Sequence, residues 1–161
     1  MILSGKTIRE KVNGGQLGLD PLPEDDQYQP ASLDIRLGSE VYDLFTDERY
    51  IADNEIQVRP GDRLLGHTYE SVDMPNDAAA QVAGRSSLGR LFVTVHQTAG
   101  WIDPSYRGHI TLEIANFSHD LVTLEPGDRV AQLVFFPLDQ PSEGYEGQYQ
   151  DDSGPQPSGG L

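Results

Sequence analysis

The chain has no cysteine. Disulfides, thiolate nucleophiles and cysteine-bound zinc are therefore excluded together. Lysine is almost as scarce: only Lys6 and Lys11 occur, and eleven basic residues in all face 26 acidic ones, for a formal net charge of −15. A surface of that sign repels nucleic acid, which argues against a duplex-binding role. Long apolar runs are missing as well. None approaches the roughly 18 residues of a membrane span, and Met1-Ile2-Leu3-Ser4 has neither the charged nor the apolar region of a signal peptide. A soluble, cytoplasmic protein with no membrane partner is expected. The histidines, His67, His96, His109 and His119, form no H-E-x-x-H or H-x-E arrangement, and a P-C-x-x-C partner cannot exist. Any hydrolysis must then be driven by a carboxylate, with any metal arriving on the substrate. The acids themselves admit two readings, a functional patch or adaptation of the whole surface to high salt, where the Debye length falls to about 3 Å at 1 M. Their spread along the chain favours the second.

At 161 residues the chain is the size of one ordinary domain. Lys6 to Asn13, with Ser4 placed to cap it and Gly14-Gly15 to close it, predicts one short helix carrying Ile8 and Val12 four apart. Asp20 to Pro30 reads as loop. From Ala31 the pattern changes to short strands. Ser32 to Leu37 alternates strictly, putting Leu33, Ile35 and Leu37 on one face of a half-buried strand. Further strands are expected at Glu40 to Phe45, Glu55 to Arg59, Arg63 to Tyr69, Ala79 to Ala83, Phe92 to His96, His109 to Asn116, Leu121 to Leu124 and Arg129 to Phe136. Many short strands with one helix argue an all-β barrel or sandwich. Arg59-Pro60-Gly61-Asp62-Arg63-Leu64 is echoed by Glu125-Pro126-Gly127-Asp128-Arg129-Val130, and Pro-Gly suits the centre of a type II turn. Residues 1–138 thus form the β domain. Residues 139–161 are a tail whose composition predicts disorder unless something is bound, although Tyr145 and Tyr149 are unusual in a purely solvating segment.

Gly84-Arg85-Ser86-Ser87-Leu88-Gly89-Arg90 gathers two guanidinium groups, two hydroxyls and two glycines on an otherwise acidic chain. Arginine matches phosphate oxygens with paired donors, and glycine lets main-chain N–H groups approach an anion. A surface turn with solvated arginines has the same composition, and spacing leaves the two readings level. The loop from His96 to Gly108 holds the only tryptophan, Trp101. Its Asp103 could bond a sugar hydroxyl or orient a water, but Asp-Pro is also an ordinary turn starter, and taken alone that is the stronger reading. Glu113 lies between Leu112 and Ile114. With Ile110, Leu112 and Ile114 on the core side, it shares the other face with Thr111 and Ala115. It is an outward strand carboxylate if that face is bare, and an acid–base group if a ligand or a subunit covers it.

Arg85 to Arg90, Val95 to Gly108 (V-H-Q-T-A-G-W-I-D-P-S-Y-R-G) and Ile110 to Asn116 (I-T-L-E-I-A-N) together resemble the dCTP deaminase branch of the dUTPase-like superfamily. Met1 to Ser4, Gln29 to Gly38 and Gly154 to Ser158 fit the same branch, so the resemblance spans nearly the whole chain. It implies a dUTPase-like distorted β-barrel, related to the jelly roll, in a homotrimer with active sites between subunits and Mg²⁺ carried on the triphosphate. It also implies roles: Arg85, Ser86 and Arg90 hold phosphates, with Ser87, Leu88 and Gly89 completing the substrate-binding turn. Asp103 contacts the deoxyribose, and main-chain groups near Thr111 and Leu112 read the pyrimidine. Gln132 and Tyr145 make further nucleotide contacts, and Glu113 is the proton shuttle for attack of water on C4 of cytosine. Two tail positions depart from the family pattern: Gln148 stands where a phosphate-facing lysine is expected, and Asp152 where a glutamine is expected. The stretch from Phe45 to Pro60 is also shorter than in many relatives.

Deamination of dCTP leads, because Glu113 is present and plain dUTPases do not need it. Ala99 to Asp103 looks more like the bifunctional members that also cleave the triphosphate to dUMP and diphosphate. A dUTPase retaining Glu113 is the alternative, and a non-catalytic nucleotide-binding paralogue, suggested by Gln148 and Asp152, ranks last.

Overall fold

Ser4 sets the first element. In the computed structural model, which describes residues 1–160, α1 (Gly5–Asn13) starts where the Ser4 hydroxyl accepts the Thr7 N–H at 3.3 Å. It buries Ile8 and Val12 and stops at Gly14, after which Gly15 takes φ +68°. In chain order there follow β1 (Gly18–Asp20), a 3-10 turn at Asp25–Gln27, β2 (Tyr28–Gln29), β3 (Ser32–Arg36), β4 (Glu40–Asp43), β5 (Glu48–Ile51), β6 (Ile56–Val58), β7 (Arg63–Asp73) and β8 (Ala78–Gly84). The rest are α2 (Ser86–Gly89), β9 (Val93–Thr94), β10 (Trp101–Ile102), β11 (Arg107–Asn116), β12 (Val122–Leu124) and β13 (Arg129–Pro137).

One sheet runs β5-β4-β7-β11-β9, with β1 added alongside β7; the second runs β10-β8-β13-β3-β2; β12 and β6 form a separate pair. Between the large sheets lies the core. Leu33 and Ile35 of β3, Leu112 and Ile114 of β11, and Leu133 and Phe135 of β13 are each at most 1% exposed. The all-β expectation and its strands are met, with β1, β5, β10 and the four-residue α2 added, and with β2 and the 3-10 turn found inside the stretch expected to be loop. No helix among the described residues is long and apolar enough to cross a membrane.

One expectation needs correction. β3 is not half-buried: its polar side chains Ser32 and Asp34 are 6% and 2% exposed. The reason is that the second face is covered by partners from elsewhere in the chain, Gln132 on Ser32 and Arg85 and Arg129 on Asp34. Both Pro-Gly-Asp turns are real and built alike. Gly61 and Gly127 take φ +86° and +96°, the Asp62 carboxylate accepts the Arg59 N–H at 2.7 Å, and the Asp128 carboxylate accepts the Glu125 N–H at 2.8 Å.

The tail is laid against the barrel rather than loose. The Asp151 N–H donates to the Arg107 carbonyl and the His109 N–H to the Asp152 carbonyl, both at 2.8 Å, which adds the tail to an edge of β11 in parallel sense. Composition predicted disorder because it registers neither the main-chain bonds nor the pairing of particular side chains, such as Gln150 with Arg107 and Ser105, that make this docking.

Candidate active site

β11 supplies the centre of the site. Its alternation turns Ile110, Leu112 and Ile114 inward and leaves Thr111 and Glu113 half-buried on the opposite face. That face is partly covered, by the chain's own loop and tail rather than by a ligand or a subunit. It forms one wall of a cavity of about 450 Å³, completed by the loop before β11 and by the tail. Trp101, Asp103 and Tyr106 come from the loop, and Tyr145, Tyr149 and Asp152 from the tail. The volume suits a nucleoside-sized ligand. Asp103, Glu113 and Asp152 all line it, and no lysine, arginine or histidine does. With carboxylates as its only charged groups, the lining favours a largely neutral ligand over a phosphate.

The details fix several side chains. Glu113 Oε2 accepts the main-chain N–H of Gln97 at 2.5 Å. The Tyr106 hydroxyl donates to the His109 carbonyl at 2.7 Å, and burial, reinforced by Asp152, pushes its acidity well beyond the phenol range, so it stays a neutral donor. The Tyr106 and Tyr145 rings meet edge to face at 5.8 Å. Asp103 also begins a turn, its carbonyl accepting the Tyr106 N–H at 3.3 Å, so the structural reading and the functional one are compatible. Burial pushes the Asp152 carboxyl up from its ordinary range. Leu112 is fully buried, so only its main chain could face a ligand.

The arginine-rich turn lies elsewhere. Ser86 to Gly89 form α2, with Arg85 at its N-cap, and Arg85, Ser87 and Leu88 line a separate recess of about 380 Å³ together with Arg129. Arg85 is seated rather than free. It reaches Asp34 at 3.3 Å and donates to the Arg129 carbonyl at 3.1 Å, and Arg129 in turn lies 3.7 Å from Asp34. Burial pushes the Asp34 carboxyl up, with the two arginines pulling the other way. Ser86, Gly89 and Arg90 are exposed, and Arg90 joins no ion pair among the described residues. Gln132 belongs to this half: it accepts from the Ser32 hydroxyl at 2.7 Å and donates to the Gly84 carbonyl at 3.3 Å. Gln148 is exposed on the tail and lines neither recess.

The expected residues therefore fall into two groups on one chain: Asp103, Thr111, Glu113 and Tyr145 line one cavity, and Arg85, Ser87 and Leu88 line another, with Ser86, Gly89, Arg90 and Gln132 outside both. Sequence reasoning missed Asp34, Arg129, Tyr106 and the Gln97 N–H. Asp34 looked like a solvent-side residue of an alternating strand, and a main-chain donor has no sequence signature.

Comparison with known proteins follows the same lines. Residues 2–138 match the model of a family described as dCTP deaminase-like. A dCTP deaminase of Natronomonas pharaonis is 42% identical over 183 residues, covering 98% of this chain and 94% of its own length. A dUMP-forming dCTP deaminase of Methanosphaera stadtmanae is 40% identical over 182 residues, covering 98% and 92%. Among solved structures, the 2′-deoxycytidine 5′-triphosphate deaminase from Agrobacterium tumefaciens matches at TM-score 0.72 and 26% identity over 83% of this chain. This chain spans 47% of that longer one. The EIAV dUTPase, at TM-score 0.57 and 18% identity over 83% of this chain and 98% of its own, shares the fold.

Proposed function

The chain belongs to the dCTP deaminase-like family, and we propose on that premise that it hydrolyses dCTP to dUTP and ammonia. The observation that carries this reading is the cavity of about 450 Å³ in which half-buried Glu113 faces space for a base and no cation faces it. Glu113 takes a proton from water as the oxygen adds to C4 of cytosine, and passes that proton to N3. A second proton then moves from the added hydroxyl through Glu113 to the departing nitrogen; the C4–N bond breaks, ammonia leaves and the carboxylate is regenerated. Asp103 holds the deoxyribose, and main-chain groups at Thr111 and Leu112 read the base.

The triphosphate needs cations that this cavity lacks. Arg85 and Arg90 supply them from a neighbouring copy in a homotrimer, with the Ser86 hydroxyl and Gln132 beside them and Mg²⁺ arriving on the phosphates as part of the substrate. Two features support the assembly. The site is split on a single chain, and Leu91, Phe92 and Phe117 are 50%, 68% and 63% exposed, with the Phe117 N–H bonded to the Phe92 carbonyl at 2.9 Å. The acidic surface, together with relatives from halophilic archaea at 42% identity, supports work at high salt. The reading puts the enzyme in the cytoplasm, where its substrate is held.

A dUMP-forming reaction is the second reading. Asp103 lines both the base cavity and the adjoining recess bounded by Pro104, Ser142 and Glu146, a position from which it can also orient a water toward the α-phosphate. Relatives from Methanosphaera stadtmanae and Halobacterium salinarum carry that description. Incubation with Mg²⁺ and either dCTP or dUTP in high salt, with ammonia and diphosphate followed, separates the possibilities. Ammonia alone identifies a simple deaminase, and both products from dCTP the dUMP-forming enzyme. Diphosphate from dUTP alone would make it a dUTPase, and no product with retained nucleotide binding a non-catalytic paralogue. A Glu113→Gln variant that still released ammonia would refute the shuttle.

A further inference from the structure

We infer that the main-chain N–H of Gln97 is a positioning group that confines proton traffic to one oxygen of Glu113, an inference that rests on Glu113 being the shuttle. β9 ends at Thr94, which is paired with Ala115 of β11. A regular antiparallel ladder would continue by setting the residue at 96 opposite Glu113. The chain instead leaves the sheet, and the Gln97 N–H turns onto Glu113 Oε2 at 2.5 Å. Both ends of this excursion are held. Gln97 Nε2 donates to the Thr94 hydroxyl at 2.5 Å, and the Val82 N–H donates to the Gly100 carbonyl at 2.7 Å. Gly100 is pressed so closely that a Cβ would lie 3.0 Å from the Val82 carbonyl and 3.1 Å from His96 Nδ1. That His96 nitrogen is buried without a hydrogen-bond partner among the described residues, an uncompensated group that the loop retains in this shape.

The chemical consequence is an asymmetry between two otherwise equivalent oxygens. Oε2 already accepts a hydrogen bond, so a proton taken from water settles on Oε1. Oε1 then hands it to N3 and repeats the transfer for the nitrogen that leaves. Without the N–H, the carboxylate can rotate and take the proton on the oxygen remote from the base, so turnover slows while the nucleotide binds as before. Gln97→Pro removes the donor, Gln97→Ala keeps it, and a main-chain ester at position 97 deletes it without changing the side chain if the proline variant does not fold.

Ammonia release from dCTP gives kcat and KM for each. The expected result is a kcat about 10- to 100-fold lower for the proline or ester protein, the range of one charge-assisted hydrogen bond. KM for dCTP should move less than about threefold, and Gln97→Ala should retain at least about ten times the kcat of Gln97→Pro. Wild-type kcat in the ester protein, with Glu113→Gln inactive, overturns the inference and leaves the shuttle standing. An equal loss in Gln97→Ala, or a loss confined to KM, overturns it too, by assigning the effect to the side chain or to binding. Ammonia release by Glu113→Gln overturns the shuttle itself.

Discussion

Replacing Gly108 with alanine should undock the tail while leaving the barrel folded. Gly108 sits at φ +132°, and a Cβ there would lie 2.7 Å from the Asp152 nitrogen and 2.8 Å from its carbonyl oxygen. Both are main-chain atoms, so no rotamer change relieves the contact. An L-residue at such a φ costs about 1–3 kcal/mol before the clash is counted. Against this stand four bonds. Two are the 2.8 Å links of Asp151 and Asp152 to β11; the others run from the Arg107 N–H to Gln150 Oε1 at 3.0 Å and from Gln150 Nε2 to the Ser105 carbonyl at 2.9 Å. At roughly 1 kcal/mol net each, and with about 1–2 kcal/mol lost for every residue ordered, these four bonds cannot absorb the clash locally, although the Tyr145 N–H on the Pro104 carbonyl and the Gln156 N–H on the Thr111 hydroxyl hold the tail on either side. Amide exchange read by mass spectrometry should show protection at His109 and Asp151 falling at least about tenfold. With Tyr145, Tyr149 and Asp152 withdrawn from the cavity wall, KM for dCTP should rise by about tenfold or more, while the melting temperature drops only roughly 2–10 °C. A folded Gly108→Ala protein with unchanged exchange and unchanged KM would refute the reasoning.

Three further outcomes are expected. If the two halves of the site meet between subunits, Arg85→Ala and Glu113→Gln proteins, each inactive alone, should regain ammonia release when unfolded and refolded together, because some mixed sites then hold one intact half from each; no recovery in verified mixed oligomers would exclude a shared site. Stability should fall as pH drops below about 6.5. Burial, reinforced by the neighbouring His109, holds His67 below its ordinary value, so the unfolded chain takes up a proton that the folded one refuses. His67→Asn should flatten that slope in melting curves, whereas Asp34 and Asp152, pushed up by burial, act in the opposite sense and at lower pH. Finally, refolding and activity should require molar salt, and full stability at low ionic strength would show that the net charge of −15 is not a salt adaptation.

Alternation and turn chemistry made much of the fold legible. β11 announces itself by apolar residues at every second position, β13 by a nearly continuous apolar run, α1 by Ser4 and the spacing of Ile8 and Val12, and both Pro-Gly-Asp turns by residues whose dihedrals are nearly dictated. β5 left no such mark, since all four of its residues are exposed and no face is selected for apolarity. α2 is too short for a helical period to show. In the site, Glu113 was legible as a carboxylate set between core residues, and the structure adds that it lines a cavity formed with the chain's own loop and tail. The seating of Arg85 on Asp34 was not, because a pairing between distant strands depends on register rather than on local pattern. The tail's docking escaped for a related reason: its bonds join it to β11 and the preceding loop through main chain and Gln150, pairings between distant segments to which composition is blind.

Every charged side chain lining the cavity beside Glu113 is a carboxylate, and on the proposed reading this dictates which end of a nucleotide leads. A triphosphate presented phosphates-first meets Asp103, Glu113 and Asp152 with no cation to offset them, so that approach is turned away before any specific contact forms. On the proposed reading the ring goes in first, and the phosphates are left to the arginines of a neighbouring copy. Inorganic phosphate and diphosphate should accordingly compete with substrate at the arginine-bearing turn and leave the base cavity empty.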